Sequence, residues 1–211
     1  MAKSLKEQND RALWMVIAFN ALFFFGVLNA NAIQIDGLSA IFKHLATLAP
    51  VGIAAIVVKV VNALPSADVK ATLVFWRLKH APPGHRAFSV YAQQDTRINQ
   101  QRLKTIFKGT LPSDPADQNA AWYKLYRPLR DDVIISSAHK LFLLLRDYTA
   151  ICALLILTFG PWALIGMASK NVAAGYVAIL LGQYLIVRMA AANAGIRMVT
   201  NVLALKTAIS K

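Results

Sequence analysis

"LWMVIAFNALFFFGVLNANAIQ", Leu13 to Gln34, contains no charged residue. A helix needs about 20 apolar residues to cross a hydrocarbon layer of about 30 Å, and this run reaches that length. Three more blocks follow. Leu45 to Leu64 carries one charge, Lys59; Tyr148 to Ala168 carries none; Val172 to Val187 carries none before Arg188. The chain has 211 residues, 57% of them hydrophobic, gathered into blocks rather than spread at helix or strand period. In lipid, each backbone polar group must be satisfied within its own segment, so the blocks read as four helices. The first has a basic start (Lys3, Lys6, Arg11), but it exceeds the apolar core of a secretory signal, about 7–15 residues, and reads as a retained span.

The expected fold is an all-α membrane protein with four transmembrane helices and a mostly helical insertion between spans 2 and 3. Residues 1–64 form an N-terminal hairpin with spans at about 13–34 and 45–64. Residues 65–147 form a basic domain, and 148–211 a second hairpin with spans at about 148–168 and 172–190 and a helical extension. Of the 23 Lys and Arg residues, only Lys43 and Lys170 fall in the other two connections. The positive-inside rule therefore places both termini and the 65–147 segment in the cytoplasm.

Asp36-Gly37 reads as a turn in the connection between the first two spans. Pro50 falls in the first turns of span 2, and Pro65 ends it. Asp68 is a candidate cap for a helix through Trp76, although Val69 to Phe75 also fits a short strand. Asp95 is a candidate cap for "TRINQQRLKTIFK", closed by Gly109 and Pro112. Trp122, Leu125, Tyr126 and Leu129 share a helix face that Pro128 shortens, and "VIISSAHKLFLLLRD" runs straight into the third span. Val172 to Ile209 has no proline, so the last helix either bends along the membrane surface or continues past it. In that stretch Asn193, Arg197 and Asn201 follow at i, i+4 and i+8.

No catalytic constellation is recognisable, and no cofactor motif. The histidines (44, 80, 85 and 139) are scattered, with His80 and His85 flanking "APPG"; no metal site is expected. "SDPADQN" lacks the Gly and Glu of a calcium loop and reads as a turn with a helix cap. The lone Cys152 lies in an apolar run, which excludes a disulfide framework.

Charge is the stronger lead. Residues 65–147 hold 13 basic and 7 acidic side chains. Arg77, Lys79, His80, His85 and Arg86 form one cluster, interleaved with Phe75, Trp76, Phe88 and Tyr91; Arg97, Arg102, Lys104 and Lys108 form a second. The pattern suits phosphate pairing with base stacking, and it equally suits a flank resting on anionic lipid. Lys59 lies inside its span, where a lysine either snorkels or lines a vestibule. Lys59, Asn62, Arg188, Asn193, Arg197 and Asn201 are the expected pore-lining set. Lys59, Arg77, Lys79, Arg188 and Arg197 are the expected ligand contacts, with Trp76 as a stacking ring.

"VFWRLKHAPPGHRAFS", "DQNAAWYKLYR" and "HKLFLLLRDY", in this order between two pairs of spans, resemble the small four-span membrane effectors of bacterial anti-phage defence, the Hailong type foremost. The four-span effectors of cyclic-nucleotide defence are a related resemblance. What it implies is a homo-oligomeric, tetrameric ion channel held shut by a DNA oligomer that a nucleotidyltransferase encoded alongside produces. Two other functions fit the residues. One is a membrane-anchored adaptor docking a soluble partner around Trp122, Tyr123 and Tyr126. The other is a transporter, ranked last because only Gly160-Pro161 interrupts a span.

Overall fold

In the computed structural model, which describes residues 4–30, 35 and 45–208, the described elements are all helical and no strand occurs among them. The expected Asp36-Gly37 turn lies outside the described residues. The elements are α1 (Leu5–Gln8), α2 (Asp10–Leu28), α3 (Leu45–Ala63), α4 (Ala67–Phe75), α5 (Gln100–Ile106), α6 (Pro115–Tyr126), α7 (Val133–Gly166) and α8 (Lys170–Ala208). A tight winding between α4 and α5 comprises a 3-10 turn at Pro83–Arg86, a π turn at Ala87–Tyr91 and a last turn at Ala92–Gln94.

Local chemistry sets the boundaries, and it corrects two expectations. Ser66, not Asp68, caps α4, its side chain accepting from the Val69 amide at 3.3 Å. It sits closer to the Pro65 break. Asn99, not Asp95, caps α5, because the Asp95 carboxylate is taken by Arg97. Helix α2 ends at Leu28, with the Asn29 amide bonding back to Phe25 and Val27 carbonyls. Residues 31–34 lie outside the described set. Asp114 caps α6, and Pro128 falls in the 3-10 turn that replaces the helix after Tyr126.

Two cores stack end to end along the α7–α8 hairpin. At 1.5 Å per residue these helices are about 50 and 58 Å long, so each serves both cores. Helix α8 runs unbroken from Lys170 to Ala208. The apolar core joins Ile17 and Phe24 of α2, Val51 and Val58 of α3, Ile151, Leu155 and Phe159 of α7, and Tyr176 and Leu180 of α8. The rings of Phe24 and Phe159 stack there at 4.6 Å. The second core, in a more polar lobe, gathers Phe88, Leu103, Trp122, Ile135, Phe142, Val199 and Leu203.

Three helical stretches are long and apolar enough to cross a membrane: Leu5–Leu28, Val133–Gly166 and Lys170–Ala208. A fourth passes only as the pair Ala49–Ala63 and Ala67–Phe75, bent by 103° at Leu64-Pro65-Ser66. The all-helical architecture is compatible with a membrane protein of three to four spans.

Candidate functional site

Helix α4 lies where the two cores meet, and its attachments build the site. Phe75 packs on Phe142, and both press on Gly195 of α8, where a Cβ would stand 2.8 Å from Phe142 and 3.0 Å from Phe75. Only a glycine admits both rings. The helix ends at Trp76, whose backbone is left-handed (φ 52°) and whose amide bonds the Thr72 carbonyl. That turn sends the indole back over α8. Its Nε1 donates to the Tyr184 hydroxyl at 3.0 Å, and that hydroxyl donates to the Leu73 carbonyl at 3.0 Å. One turn further along α8, the Arg188 guanidinium lies 3.6 Å over the indole. Trp76 nonetheless remains 59% exposed. The result is a preformed aromatic platform with a cation on one face, the geometry of a cation–π pair.

The following residues, Arg77, Leu78, Lys79 and His80, are all exposed. Arg77 bonds the Tyr91 hydroxyl, whose pKa burial still pushes up. His80, also left-handed at φ 53°, brings its ring to 5.0 Å from His85. The structure thus pairs two histidines that the spacing kept apart. They share a small cleft with Asp68, Thr72 and Pro82, and His85 Nδ1 is bonded to the Pro82 carbonyl at 3.1 Å. Among the described residues no three His, Cys, Asp or Glu side chains converge as a metal cage.

Beneath α4 is a charge cluster that sequence reasoning missed. Lys70 Nζ sits 3.2 Å from Asp147 Oδ1, with both side chains only 3% exposed. Arg146 donates to the same oxygen through Nη2 at 3.0 Å and Nε at 3.1 Å, with its side chain 11% exposed. Two cations on one carboxylate leave a surplus positive charge in a dry place. A signal did exist: Asp147 is the last acidic residue of the chain, at the mouth of an apolar run.

The expected pore set does not come together within one chain. Lys59 is ion-paired with Asp10 on α2 and lies 5.5 Å over the Trp14 ring. Asn62 is buried and its Oδ1 has no hydrogen-bond partner; the same is true of Arg188 Nε. Asn193 and Arg197 are exposed, but Asn201 is buried, lining a groove with Arg97, Ile135 and Leu205. Each i+4 step overshoots a helical turn by about 40°, so two steps carry Asn201 about 80° round from Asn193. In the second basic cluster, Arg97 is held by Asp95 at 2.7 Å and donates to Thr200. Arg102 closes the end of α8 by donating to the Thr207 carbonyl at 3.0 Å. Lys104 and Lys108 stay exposed.

The face expected to dock a soluble partner is mostly internal. Trp122 is buried with its Nε1 directed at the Val199 carbonyl, and Tyr126 bonds His139 at 2.8 Å; only Tyr123 is exposed. No protein-family model, no curated protein and no solved structure matches the chain.

Proposed function

We propose that the chain is a non-enzymatic membrane effector that assembles as a homo-oligomer, a tetramer by the resemblance above, into an ion channel gated by an anionic nucleotide or DNA oligomer. Anti-phage defence at a bacterial inner membrane, with both termini and the polar lobe cytoplasmic and a nucleotidyltransferase as supplier of the ligand, is the setting. The observation that carries this reading is the Trp76 platform: an exposed indole, fixed by Tyr184 and backed by Arg188 at 3.6 Å. Base stacking on a fixed aromatic ring with cations close by is how sequence-tolerant oligonucleotide sites hold their ligands. Arg77, Lys79 and Arg197 add to the positive field around it, while Lys59 contributes less because Asp10 neutralises it. Asn193 and Arg197, exposed on α8, are the side chains left to face a lumen between copies. The adaptor reading has less support, because two of its three docking aromatics are turned inward.

The test is conductance of the purified chain in a planar bilayer, with and without a short single-stranded DNA. Channel activity that the oligomer changes, and that Trp76→Ala or Arg188→Gln renders insensitive, is the expected result. Each phosphate contact on a single strand predicts an affinity loss of about 3.5-fold over about a sixfold rise in salt. A chain that conducts nothing, or binding indifferent to salt, refutes the proposal.

A further inference from the structure

Helix α4 and the five residues after it carry a surface that neither core uses. The helix turns 103° from α3 and is fastened to the long hairpin at Asp147, through Lys70, and at Tyr184, through the Leu73 carbonyl. That level is a boundary along α7. Ile135, Ala138 and Phe142, before it, belong to the core of the polar lobe; Ile151, Leu155 and Phe159, beyond it, belong to the apolar core. If α3, α7 and α8 cross a bilayer, α4 lies along the bilayer's face at the depth of the headgroups.

The side chains exposed there are wrong for water. Leu78 is 94% exposed, Leu64 at the elbow 76% and Val69 on α4 52%. Arg77 and Lys79 are exposed on either side of Leu78. Apolar side chains with interspersed cations on a segment parallel to the membrane are the composition of interfacial anchors, which bury the first in the acyl boundary and set the second against anionic lipid. Of the two carboxylates seen at α4, Asp147 is buried against Lys70, and Asp68 lines the cleft it shares with His80 and His85.

We infer that α4 and the Trp76–His80 segment form an in-plane membrane anchor: Leu64, Val69 and Leu78 enter the acyl boundary, and Lys79, seconded by Arg77, binds the phosphates of anionic lipid headgroups. The inference rests on the apolar helices crossing a bilayer, and not on gating. It moves Lys79 and Arg77 from the ligand to the lipid, leaving Trp76 and Arg188 as the direct ligand contacts. It also gives the 103° bend a purpose, because a straight continuation of α3 would carry Lys70, Arg77 and Lys79 away from the membrane face.

The experiment uses the full chain in a Cys152→Ser background with a nitroxide at Leu78→Cys, a position so exposed that the label displaces nothing. Vesicles of phosphatidylcholine, alone or with roughly a third phosphatidylglycerol, are floated first, and label depth is then read from oxygen against nickel-complex accessibility. In anionic vesicles the label is immersed, whereas a control label at Lys108→Cys reads as solvated. The ratio of immersed to solvated label falls about fivefold for each of Arg77→Gln and Lys79→Gln, from about 1 kcal/mol per cation at an anionic surface. It falls further in pure phosphatidylcholine. A floating chain whose label at 78 stays solvated, or whose immersion ignores lipid charge and Lys79, overturns the anchor and leaves the channel reading standing. A chain that does not float overturns both. An immersed label in a protein that never conducts supports the anchor and sinks the channel alone.

Discussion

Asp147→Asn is the most damaging conservative substitution this structure predicts. The carboxylate bonds both Lys70 and Arg146, and these two cations are 3% and 11% exposed. The wild-type cluster therefore carries one surplus positive charge. Asn keeps the shape but raises the surplus to two, with neither cation able to reach bulk water freely. Stripping one partner from a buried pair costs about 3–5 kcal/mol, because the charge left behind is desolvated and unpaired. For a chain of this size that corresponds to a midpoint lower by about 6–20 °C. Lys70→Met has the opposite character. It leaves Arg146 and Asp147 as a neutral pair and exchanges a buried ammonium for a thioether of similar length, so the expected loss is under about 1.5 kcal/mol. Thermal unfolding of the two variants in the same detergent, followed by tryptophan fluorescence and helical circular dichroism, gives the comparison. Equal losses, or a larger loss for Lys70→Met, would refute the reasoning, since they would mean that the ammonium's packing matters more than the charge balance.

Three further outcomes follow from single contacts. Gly195→Ala drives a methyl into Phe142 and Phe75, and overpacking of that kind costs about 1–3 kcal/mol; the same melt reads it, and Phe75→Leu in the same chain recovers part of the loss. Gly84→Ala sets its Cβ against Asn119 Oδ1 and the Trp122 ring, so it destabilises the polar lobe, and Asn119→Gly in the same chain relieves most of the effect, as hydrogen exchange of Pro115–Tyr126 will show. Asp95 is held down to about 2 by its bonds to Arg97. A depressed carboxylate stabilises the fold above its unfolded pKa near 4 and loses that contribution as pH falls through 2. Arg97 is 56% exposed and solvent screens the pair, so Asp95→Asn costs about 1 kcal/mol at neutral pH. The difference from wild type vanishes below about pH 2; a gap that stays constant from neutral pH to that point rules the linkage out.

The apolar helices were legible because the signal is long and one-dimensional: a charge-free run such as Leu13 onward has few structural alternatives. The continuity of α7 and α8 was equally plain, since neither "VIISSAHKLFLLLRD" nor the stretch after Val172 contains a residue that must stop a helix. What the sequence hid was pairing across distance. Lys59 looked like a bare cation in a span, and nothing local announces that Asp10, 49 positions earlier, meets it. Lys70 and Asp147 stand further apart still, and each reads alone as a surface charge. Helix caps are hidden for a related reason. Asp68 and Asp95 have the right chemistry, but Ser66 lies nearer a proline break and Asp95 had a better partner in Arg97. Periodicity groups Trp122 with Leu125, Tyr126 and Leu129, but it says which residues point together and not toward what.

That distinction bears on how a polyanion would be held. Net charge is indifferent to pairing: the 65–147 segment keeps its surplus of basic over acidic residues however they are arranged. Contacts are not indifferent. Lys70, Arg97 and Arg146 are engaged by carboxylates, Arg102 by a helix end, and Lys59 by Asp10. On the proposed channel reading, the long-range field that would draw an anion in is therefore set by the sum, and the dwell time by the few groups still free to touch it. In kinetic terms, substitutions among exposed cations such as Lys104 and Lys108 alter arrival and its salt dependence. Loss of the Trp76 ring, or of the Tyr184 hydroxyl that fixes it, alters departure, because a stacking surface works only while it is held in place. A ligand whose release rate is unchanged by Trp76→Ala is bound somewhere other than on this platform.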